Sequence, residues 1–272
     1  MNSTSDIRAT LNGSAVNAND WRSAALASYG HFTSLLVVNR AVQGLDLHLQ
    51  RLAAANLELF GTVLDTAHVR QWMAEIASDD ARTFAMRVAV FSRQFNRDRP
   101  ADAVAADVLI TAAPMTTAGE QSISVATADY ERDAPHIKHF GTFGLFHQKR
   151  LAQRRGYDDA LFVDRSGAVS EGSVWNIGFL DGDGVVWPEA AMLSGVSMRL
   201  LQCGLAECDI PTRTQRVVRD DLAAFRGAFF TNSRRSFLPI RRIDDSDYTI
   251  VQADIERLQR SLATQPWQSL TE

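Results

Sequence analysis

The fold of this chain is decided between residues 136 and 201, which include HIKHFGTFGLFHQKR (136–150), GYDDALFVDRSGAVSEGSVWNIGFLDGDGVVWP (156–188) and LSGVSMRLL (193–201). The first segment contains an isolated lysine, Lys138. The second contains Glu171 in a Gly/Ser-rich setting, and the third contains Gly195 at the start of a predicted helix. The three segments therefore offer an amine, an anion and a helix N-terminus.

Lysine is rare in this sequence. Of the 28 basic side chains only Lys138 and Lys149 are lysines, and the others are arginines. Arginine keeps its proton near neutral pH and forms no imine, whereas a lysine with a lowered pKa does. Lys149 lies in the basic run HQKRLAQRR, which is typical of a solvated helix face. Lys138 has apolar and aromatic neighbours that favour a desolvated, neutral amine, so it is the candidate nucleophile.

An amine, an anion and a helix N-terminus are the three fixtures that a pyridoxal phosphate site needs. The amine binds the aldehyde, the anion pairs with the ring nitrogen, and the helix start binds the phosphate. The unpaired N–H groups and the dipole of a helix N-terminus favour a dianion. The residues alone therefore predict a pyridoxal phosphate enzyme.

Composition restricts the class of protein. The 272 residues are 46% hydrophobic and 22% charged, which is typical of one large or two smaller globular domains. The net charge is −4, and no basic stripe with interleaved aromatics appears, so we expect no nucleic-acid partner. We find no apolar signal core and no run of transmembrane length, which predicts no membrane partner and a cytoplasmic location.

Neither the cysteines nor the histidines predict a metal site. Cys203 and Cys208 are five residues apart near the end of one predicted helix and are expected to be reduced thiols. His136, His139 and His147 have no carboxylate or cysteine at matching spacing. We therefore expect no metal.

The hydrophobic pattern predicts a mixed chain of helices and strands. Asn12-Gly13 indicates a hairpin within residues 8–17, and the first half also has a strand at 31–38, helices at 45–60 and about 66–78, and strands at TFAMRVAVF and ADVLITAA. The second half has helices at about 140–155, 196–208 and 252–263, with strands at 122–128, 160–163, 174–180, 185–187, 213–218, 228–232 and 237–240. The proline-containing segment PMTTAGEQ indicates a linker at 115–121 between domains at 1–114 and 122–272.

The order and spacing of these motifs resembles a known family. Lys138 with its following helix, then GYDDALFVD, SGAVSEGSVWNIGF, LSGVSMRLL and FFTNSRRSFLPI, is similar to the class IV aminotransferases, which are fold-type IV pyridoxal phosphate enzymes. That group includes branched-chain and D-amino-acid aminotransferases, R-selective amine transaminases and aminodeoxychorismate lyase. The resemblance covers nearly the whole chain. It implies an α+β fold with a small α/β N-terminal domain and a larger pseudo-barrel C-terminal domain that binds the cofactor.

The resemblance also implies roles for individual residues. Lys138 would form the Schiff base with the cofactor, and Glu171 would pair with the protonated ring nitrogen. The phosphate would be held by the helix start after Gly195 and by hydroxyl and guanidinium groups, and Asn176 would lie beside the cofactor-binding turn. The implied phosphate ligands are Val196, Ser197, Ser233 and Arg51, the last in HLQRL.

Some positions depart from the family pattern. The usual YGDGVFE motif is shortened here to Tyr29-Gly30-His31-Phe32-Thr33-Ser34. Branched-chain enzymes have a Tyr five residues after the lysine, where this chain has Phe143, and this favours the D-amino-acid, amine and lyase types. Arg97-Asp98-Arg99 resembles the Arg-x-His carboxylate trap of D-amino-acid aminotransferases. That trap serves the neighbouring subunit, so the resemblance implies a homodimer.

Three functions remain open at this point. The first is transfer of an amino group from an amino acid or amine to a 2-oxo acid, in which the freed Lys138 amine moves a proton at the substrate α-carbon. The second is a lyase that eliminates pyruvate, because Phe32-Thr33-Ser34 resembles the Phe-Thr-Thr run of aminodeoxychorismate lyase. The third is a pyridoxal-phosphate-binding homologue without catalysis.

Overall fold

The computed structural model describes residues 7–77, 83–115, 122–182 and 184–271. The chain divides into two compact units. Unit 1 comprises Met1–Thr117, Ile137–Gly141 and Trp267–Glu272. Unit 2 comprises Ala118–His136 and Thr142–Pro266.

Unit 1 consists of a sheet with helices packed against it. Its elements are β1 (Arg8–Leu11), β2 (Ser14–Ala15), α1 (Ala18–Leu26), β3 (His31–Val37), β4 (Ala41–Gln43), α2 (Leu45–Phe60), α3 (Thr66–Ala77), β5 (Phe84–Phe91) and β6 (Asp107–Pro114). The main sheet has the order β2-β1-β6-β5-β3. Apolar side chains from β3, β5, β6, α2 and α3 form its buried core.

Two tight turns fix the hairpins of unit 1. Asn12 and Gly13 between β1 and β2 have φ values of 50° and 79°, and Asn39 and Arg40 between β3 and β4 have 48° and 61°. Positive φ at both central residues matches the twist of the flanking strands, as in a type I′ turn. The predicted Asn12-Gly13 hairpin is confirmed.

Helix α2 has the predicted bounds, Leu45–Phe60. Its buried face includes Leu45, Leu49 and Leu52, at the spacing that places side chains on one side of a helix. Gly61 ends the helix in the left-handed conformation, with φ of 66°. The polar His48 lies on the same buried face.

Unit 2 contains a closed ring of strands. Its elements are β7 (Ile123–Asp129), α4 (Phe143–Arg154), β8 (Asp159–Val163), β9 (Val169–Gly172), β10 (Asn176–Asp181), β11 (Gly184–Pro188), α5 (Val196–Glu207), β12 (Thr212–Gln215), β13 (Gly227–Asn232), β14 (Arg235–Ile243), β15 (Ser246–Asp247) and α6 (Gln252–Ala263). The order β10-β13-β14-β7-β8-β9 closes because β9 also pairs with β10, and β11 and β12 extend it. The predicted α+β fold with a pseudo-barrel is confirmed.

The closed ring forms because its strands are buried and rich in β-branched and aromatic side chains. Val125, Leu161, Val169, Ile177 and Ile240 belong to one buried cluster inside unit 2. Closure leaves no unpaired strand edge within the ring, which removes a site of unwanted pairing. The end of β9 and the start of β10 are held together at the pair Glu171 and Asn176.

One strand was not predicted, and the next begins later than expected. The strand expected at 174–180 is β10, which begins at Asn176, and the unpredicted β9 ends before it at Gly172. The Gly172 amide donates to the Trp175 carbonyl at 2.8 Å, which turns the chain back at this point. Trp175 packs against Gly172 so closely that any Cβ at position 172 would overlap its ring. The alternating pattern of residues 169–180 did not indicate this turn.

The predicted C-terminal domain also differs from unit 2. Residues 137–141 belong to unit 1, where Phe32 N–H donates to the Lys138 carbonyl and Phe140 N–H donates to the Gly30 carbonyl, both at 2.9 Å. Helix α4 therefore begins at Phe143 and not near residue 140. A C-terminal strand, β16 (Trp267–Ser269), pairs with β4 and also belongs to unit 1. Residues 116–121 of the predicted linker lie outside the described residues, and the boundary itself stays a prediction.

Neither a bilayer-spanning helix nor a disulfide is found in the described part of the chain. No described helix is both long and apolar enough to cross a membrane. Both cysteines are free thiols, as predicted, with Cys203 exposed and Cys208 half-buried.

Helices α5 and α6 approach closely at one glycine. Gly204 on α5 faces the backbone of α6, and a Cβ at this position would overlap the carbonyl oxygen of Ser261. Backbone atoms cannot rotate away as a side-chain terminus can. This contact fixes the position of α5, whose N-terminus belongs to the candidate site.

We expect Gly204→Ala to lower the free energy of unfolding. Alanine in an exposed helix position would add about 1 kcal/mol through helix propensity, but overlap with the Ser261 backbone costs about 1–3 kcal/mol, so the net effect is destabilising. The measurement is urea unfolding of the variant against the wild type. Cys203→Ala, on the exposed side of the same helix, is the control and should unfold near the wild-type midpoint. A Gly204→Ala protein more stable than wild type would contradict this packing.

Candidate active site

Lys138 lies in unit 1 beside an aromatic ring. Its side chain is half-buried, and its Nζ is 5.1 Å from the centroid of Phe32. A backbone hydrogen bond from Phe32 N–H to the Lys138 carbonyl holds the two residues together. The preceding Ile137 is buried. Lys138 thus has a buried apolar residue and an aromatic ring beside it, and the ring is that of Phe32 on β3.

The buried His48 lies near both Lys138 and Arg51. Its Nδ1 is 2.6 Å from the Thr33 hydroxyl oxygen, and both side chains are buried. Burial, together with the smaller effect of the positive charges of Arg51 and Lys138, lowers the pKa of His48 to about 3. His48 is therefore neutral at physiological pH. The structure brings the predicted Arg51 and Lys138 to one neighbourhood of unit 1.

His31 is a second buried histidine of unit 1. It begins β3, two residues before Thr33, and is 1% exposed. Neither ring nitrogen has a hydrogen-bond partner among the described residues. Burial lowers its pKa to about 4, so this imidazole is also neutral near pH 7.

Glu171 lies at the end of β9 in unit 2 and forms a buried ion pair. Arg132 Nη1 donates to Glu171 Oε1 at 3.1 Å, and the two side chains are 7% and 6% exposed. The Leu193 amide donates to the same oxygen at 3.3 Å. A buried carboxylate requires such partners to remain charged. The arrangement therefore supplies a fixed negative charge.

Asn176 links Glu171 to the start of α5. It pairs with Glu171 across β9 and β10, and its Nδ2 donates to the Leu193 carbonyl at 2.8 Å. Leu193 thus contacts Glu171 through its amide and Asn176 through its carbonyl. Gly195 lies so close to Asn176 that a Cβ at position 195 would overlap the amide oxygen. Only glycine fits there without moving the helix start.

The start of α5 provides backbone donors. Val196 and Ser197 are its first two residues and are buried. The first amides of a helix have no intrahelical acceptor, and the helix dipole adds positive potential at that end. The structure therefore brings Glu171, Asn176, Val196 and Ser197 to one end of α5. This group can bind an anion at the helix start and a cation at Glu171.

Ser233 lies in the turn between β13 and β14 and is half-buried. The preceding β13 pairs with β10, with Thr231 opposite Asn176. Asn232 Nδ2 contacts the Val174 carbonyl at 3.5 Å. The turn that carries Ser233 is therefore joined to the segment between Glu171 and Asn176.

Two polar residues of this region were not predicted from the sequence. Arg132 lies in the polar run ADYERDAP, where nothing distinguishes it from a surface arginine. Ser173 follows Glu171 by two residues, is buried, and its hydroxyl has no hydrogen-bond partner among the described residues. In the sequence only their position marks these two residues, because Arg132 shortly precedes Lys138 and Ser173 shortly follows Glu171.

Lys149 is not on a fully solvated face, so that prediction is wrong. Its Nζ is 2.8 Å from Asp159 Oδ2, and the two side chains are 31% and 6% exposed. The apolar side of α4 packs toward β8, which carries Asp159, and this brings the ammonium to the buried carboxylate. The ammonium is thus engaged by a buried carboxylate, which makes Lys149 a poor candidate for the imine-forming amine.

Arg97, Arg99 and Phe143 are exposed. Arg99 forms an ion pair with Asp102, in which Nε is 3.0 Å from Oδ2, and its side chain is 70% exposed. The role of Arg97 and Arg99 as a substrate trap stays a prediction. Phe143 is 81% exposed and stacks on His147, with ring centroids 5.5 Å apart.

A separate cavity of about 540 Å³ in unit 2 contains none of the predicted residues. Its lining is Asp129, Tyr130, Glu131, Val163, Asp164, Arg165, Gly167 and Arg219. Two of its arginines are paired, Arg219 with Asp129 and Arg165 with Glu131. Within the described ranges, no three His, Cys, Asp or Glu side chains lie together as a metal site requires.

Comparison with known proteins gives one family and a consistent fold. The profile described as amino-transferase class IV matches residues 30–243. A branched-chain-amino-acid aminotransferase of Pseudomonas aeruginosa is 32% identical over 133 residues, which cover 46% of this chain and 43% of that protein. The match thus spans less than half the length of this curated relative.

Solved structures share the fold at low identity. A fold IV transaminase from Curtobacterium pusillum has 23% identity and a TM-score of 0.75, covering 86% of this chain and 84% of that one. A branched-chain amino acid aminotransferase from Escherichia coli has 17% identity and a TM-score of 0.84, covering 98% and 100%. These two likenesses establish the architecture.

Acid is expected to destabilise the protein partly through His31. Its pKa is about 4 in the folded chain and about 6.5 when unfolded, so the unfolded state binds more protons between these values. His31 therefore leaves the free energy of unfolding unchanged above about pH 6.5 and lowers it progressively as the pH drops toward 4. His31→Leu has no imidazole at this position. Its free energy of unfolding should therefore fall by about 1–2 kcal/mol less than that of the wild type between pH 7.5 and 5.

The measurement is urea unfolding at both pH values. His147→Gln, at an exposed position, is the matched control and should keep the wild-type pH dependence. An unchanged pH dependence in His31→Leu would show that folding does not lower the pKa of this imidazole.

Proposed function

Because the chain belongs to the amino-transferase class IV family, we propose that it is a pyridoxal-phosphate-dependent aminotransferase that moves an amino group from an amino acid or amine to a 2-oxo acid. The observation that carries this proposal is the buried carboxylate of Glu171. Arg132 and the Leu193 amide hold it, and Asn176 joins it to the start of α5. This is the polar arrangement that the ring nitrogen and phosphate of the cofactor require.

The residues present fit the cofactor. The half-buried Lys138 amine suits the aldehyde, and the buried Glu171 suits a protonated ring nitrogen. The buried Ser173 hydroxyl has no partner among the described residues and adds a donor next to Glu171. When bound, pyridoxal phosphate supplies an aldehyde for amine exchange and a ring that takes up negative charge from the substrate α-carbon.

Lys138 would bind the cofactor and then act on a proton. Its Nζ would hold the cofactor aldehyde and, as a free amine, would take the proton from the substrate α-carbon and deliver it to the carbon that receives the amino group. This needs an amine that exists in the neutral form. The Phe32 ring beside Lys138 Nζ and the buried Ile137 reduce its contact with water.

Glu171 would keep the proton on the ring nitrogen. Its charge is fixed by Arg132 and by the Leu193 amide before any substrate arrives. A preorganised charge stabilises the protonated ring without further rearrangement, which lowers the barrier to removing the α-proton.

Phosphate binding would fall to Arg51 and to α5. Arg51 supplies a permanent positive charge, while the amides of Val196 and Ser197 and the Ser197 hydroxyl supply donors. Ser233 adds a hydroxyl from the turn joined to β10. Asn176 positions this loop through its bond to Leu193.

The aminodeoxychorismate-lyase alternative rests on Phe32-Thr33-Ser34. In the structure the Thr33 hydroxyl is buried and contacts His48. An engaged, inward hydroxyl favours a packing role for Thr33, so the aminotransferase is the first candidate. We also propose a homodimer, as implied by the Arg97 and Arg99 trap, and the cytoplasmic location stays a prediction.

Glu171→Gln should lower the turnover number by at least about 100-fold while the cofactor stays bound, because the amide keeps the shape but not the charge. The assay follows amino-group exchange between a panel of D- and L-amino acids or amines and 2-oxo acids. Bound cofactor is quantified after its release by alkali. Glu189→Gln, at an exposed carboxylate of unit 2, is the control and should remain fully active.

Two results would overturn the assignment. Pyruvate release without amino-group exchange would establish the lyase. Bound cofactor with no response to any donor would establish a non-catalytic homologue.

A further inference from the structure

We propose that the cavity of unit 2 at the ends of β7 and β8 binds a free α-amino acid as a zwitterion, with an apolar or aromatic side chain. This cavity, called the β7–β8 cavity below, is separate from the candidate active site, because none of its lining residues is among those assigned to the cofactor. The inference goes beyond the proposed function and does not rest on it.

The β7–β8 cavity lies beyond the carboxyl ends of two parallel strands. Asp129 ends β7 and pairs with Val163, which ends β8. The Tyr130 amide donates to the Val163 carbonyl at 3.1 Å, so the pairing continues one residue past β7. Side chains that follow neighbouring parallel strands converge at one edge of a sheet, where small ligands commonly bind. The cavity volume of about 540 Å³ is within the range of small-molecule sites, about 300–1,000 Å³.

The turn that follows β8 holds a carboxylate of the cavity in place. Asp164 Oδ1 accepts hydrogen bonds from the Ser166 amide at 2.8 Å, the Ser166 hydroxyl at 2.7 Å and the Ala168 amide at 2.9 Å. All three bonds go to one oxygen, and no residue that the structure describes donates to Oδ2. Asp164 therefore lines the cavity as a fixed carboxylate with one oxygen that can accept from a ligand.

Two further carboxylates line the cavity, and each uses only one oxygen in an ion pair. Asp129 Oδ1 accepts from Arg219 Nη2 at 2.6 Å, and Glu131 Oε2 is 3.3 Å from Arg165 Nε. The Asp129 and Arg165 side chains are 82% and 95% exposed, so these ion pairs are solvated and weak. Within the described ranges, the carboxylates do not lie together as a metal site requires. An ammonium group, which donates three separate hydrogen bonds, is the cation that they match.

Arg219 gives the cavity a group that can bind a carboxylate. It begins the short 3₁₀-helix Arg219–Ala224, and its side chain is 46% exposed. Among the described residues, only Asp129 accepts from its guanidinium, and that bond uses Nη2 alone. A guanidinium has five N–H donors and binds a carboxylate through two parallel hydrogen bonds. Arg219 can therefore bind a ligand carboxylate while it keeps Asp129.

The lining also has an apolar part. Val163 is buried, and the half-buried Tyr130 packs its ring on Phe162, with centroids 4.8 Å apart. A ligand side chain that contacts Tyr130 and Val163 is removed from water, which favours an apolar or aromatic side chain over a polar one.

The lining carries charges of both signs, and a zwitterion matches both. The three carboxylates repel a ligand that is only anionic, and the two guanidinium groups repel one that is only cationic. A free α-amino acid carries an ammonium group and a carboxylate on one carbon. Its ammonium group can contact Asp164 and Glu131 while its carboxylate contacts Arg219, so both charges have complementary partners.

The test is a calorimetric titration of L-phenylalanine into holoenzyme reduced with borohydride. In this form the cofactor is fixed to its lysine and cannot exchange with the amino group of the ligand. We expect saturable binding of L-phenylalanine. N-acetyl-L-phenylalanine lacks the ammonium group and L-phenylalaninamide lacks the carboxylate, so the Kd of each should be at least about tenfold higher. If the protein holds no cofactor, it is titrated as purified.

Two variants locate the binding in the β7–β8 cavity. Arg219→Gln removes the guanidinium, and Glu131→Gln removes a carboxylate charge; each should raise the Kd of L-phenylalanine at least about tenfold. Both positions are partly exposed, so we expect wild-type midpoints of urea unfolding. Arg213→Gln is the matched control. Arg213 forms an ion pair of similar exposure with Asp181 outside the cavity, and its variant should keep the wild-type Kd.

Three results would overturn the site. They are no saturable binding of L-phenylalanine to the wild type, an equal Kd for L-phenylalanine and either analogue, and a wild-type Kd in Arg219→Gln or Glu131→Gln. Amino-group exchange is not measured here, so its failure in the separate activity assay would overturn the proposed function and leave this site standing.

Discussion

The buried ion pair of Arg132 and Glu171 is the interaction on which the unit 2 site depends. Neither side chain is more than 7% exposed, so each charge is stabilised there by the other. The Leu193 amide adds a donor to the same carboxylate, and Asn176 holds the Leu193 carbonyl. One charge is thereby connected to the start of α5, whose amides are the anion-binding part of the site. Removing Arg132 would leave Glu171 charged and buried without its main partner.

The closed ring of strands makes this connection possible. Glu171 ends β9 and Asn176 begins β10, and the pair closes the ring. The glycine at 172 allows Trp175 to fold against the chain, and the glycine at 195 allows α5 to begin against Asn176. Unit 1 carries a different kind of site. There the sheet face offers Phe32, Lys138 and Arg87 together, with a neutral His48 behind them.

Local signals in the sequence were sufficient to predict several helices and strands and some of the site residues. Helix α2 was predicted to the residue because its leucines repeat at helical spacing and Gly61 stops it. Lys138 was singled out because the chain has only two lysines, and Glu171 because its motif resembles that of the class IV aminotransferases. The split between β9 and β10, the return of residues 137–141 to unit 1 and the pairing of β16 with β4 were not predicted. Each depends on contacts between distant residues, which local periodicity does not encode. Arg132 was missed for the same reason, since only its spatial partner distinguishes it from other arginines.

The proposed function depends on Lys138 as the residue joined to the cofactor. Its chemistry is directly testable because Lys149 is the single other lysine in the sequence. The measurement is borohydride reduction of the protein loaded with pyridoxal phosphate, followed by peptide mapping of the reduced label. The account predicts one labelled peptide, carrying the cofactor on Lys138. A label on Lys149, or none in a fully loaded sample, would contradict it.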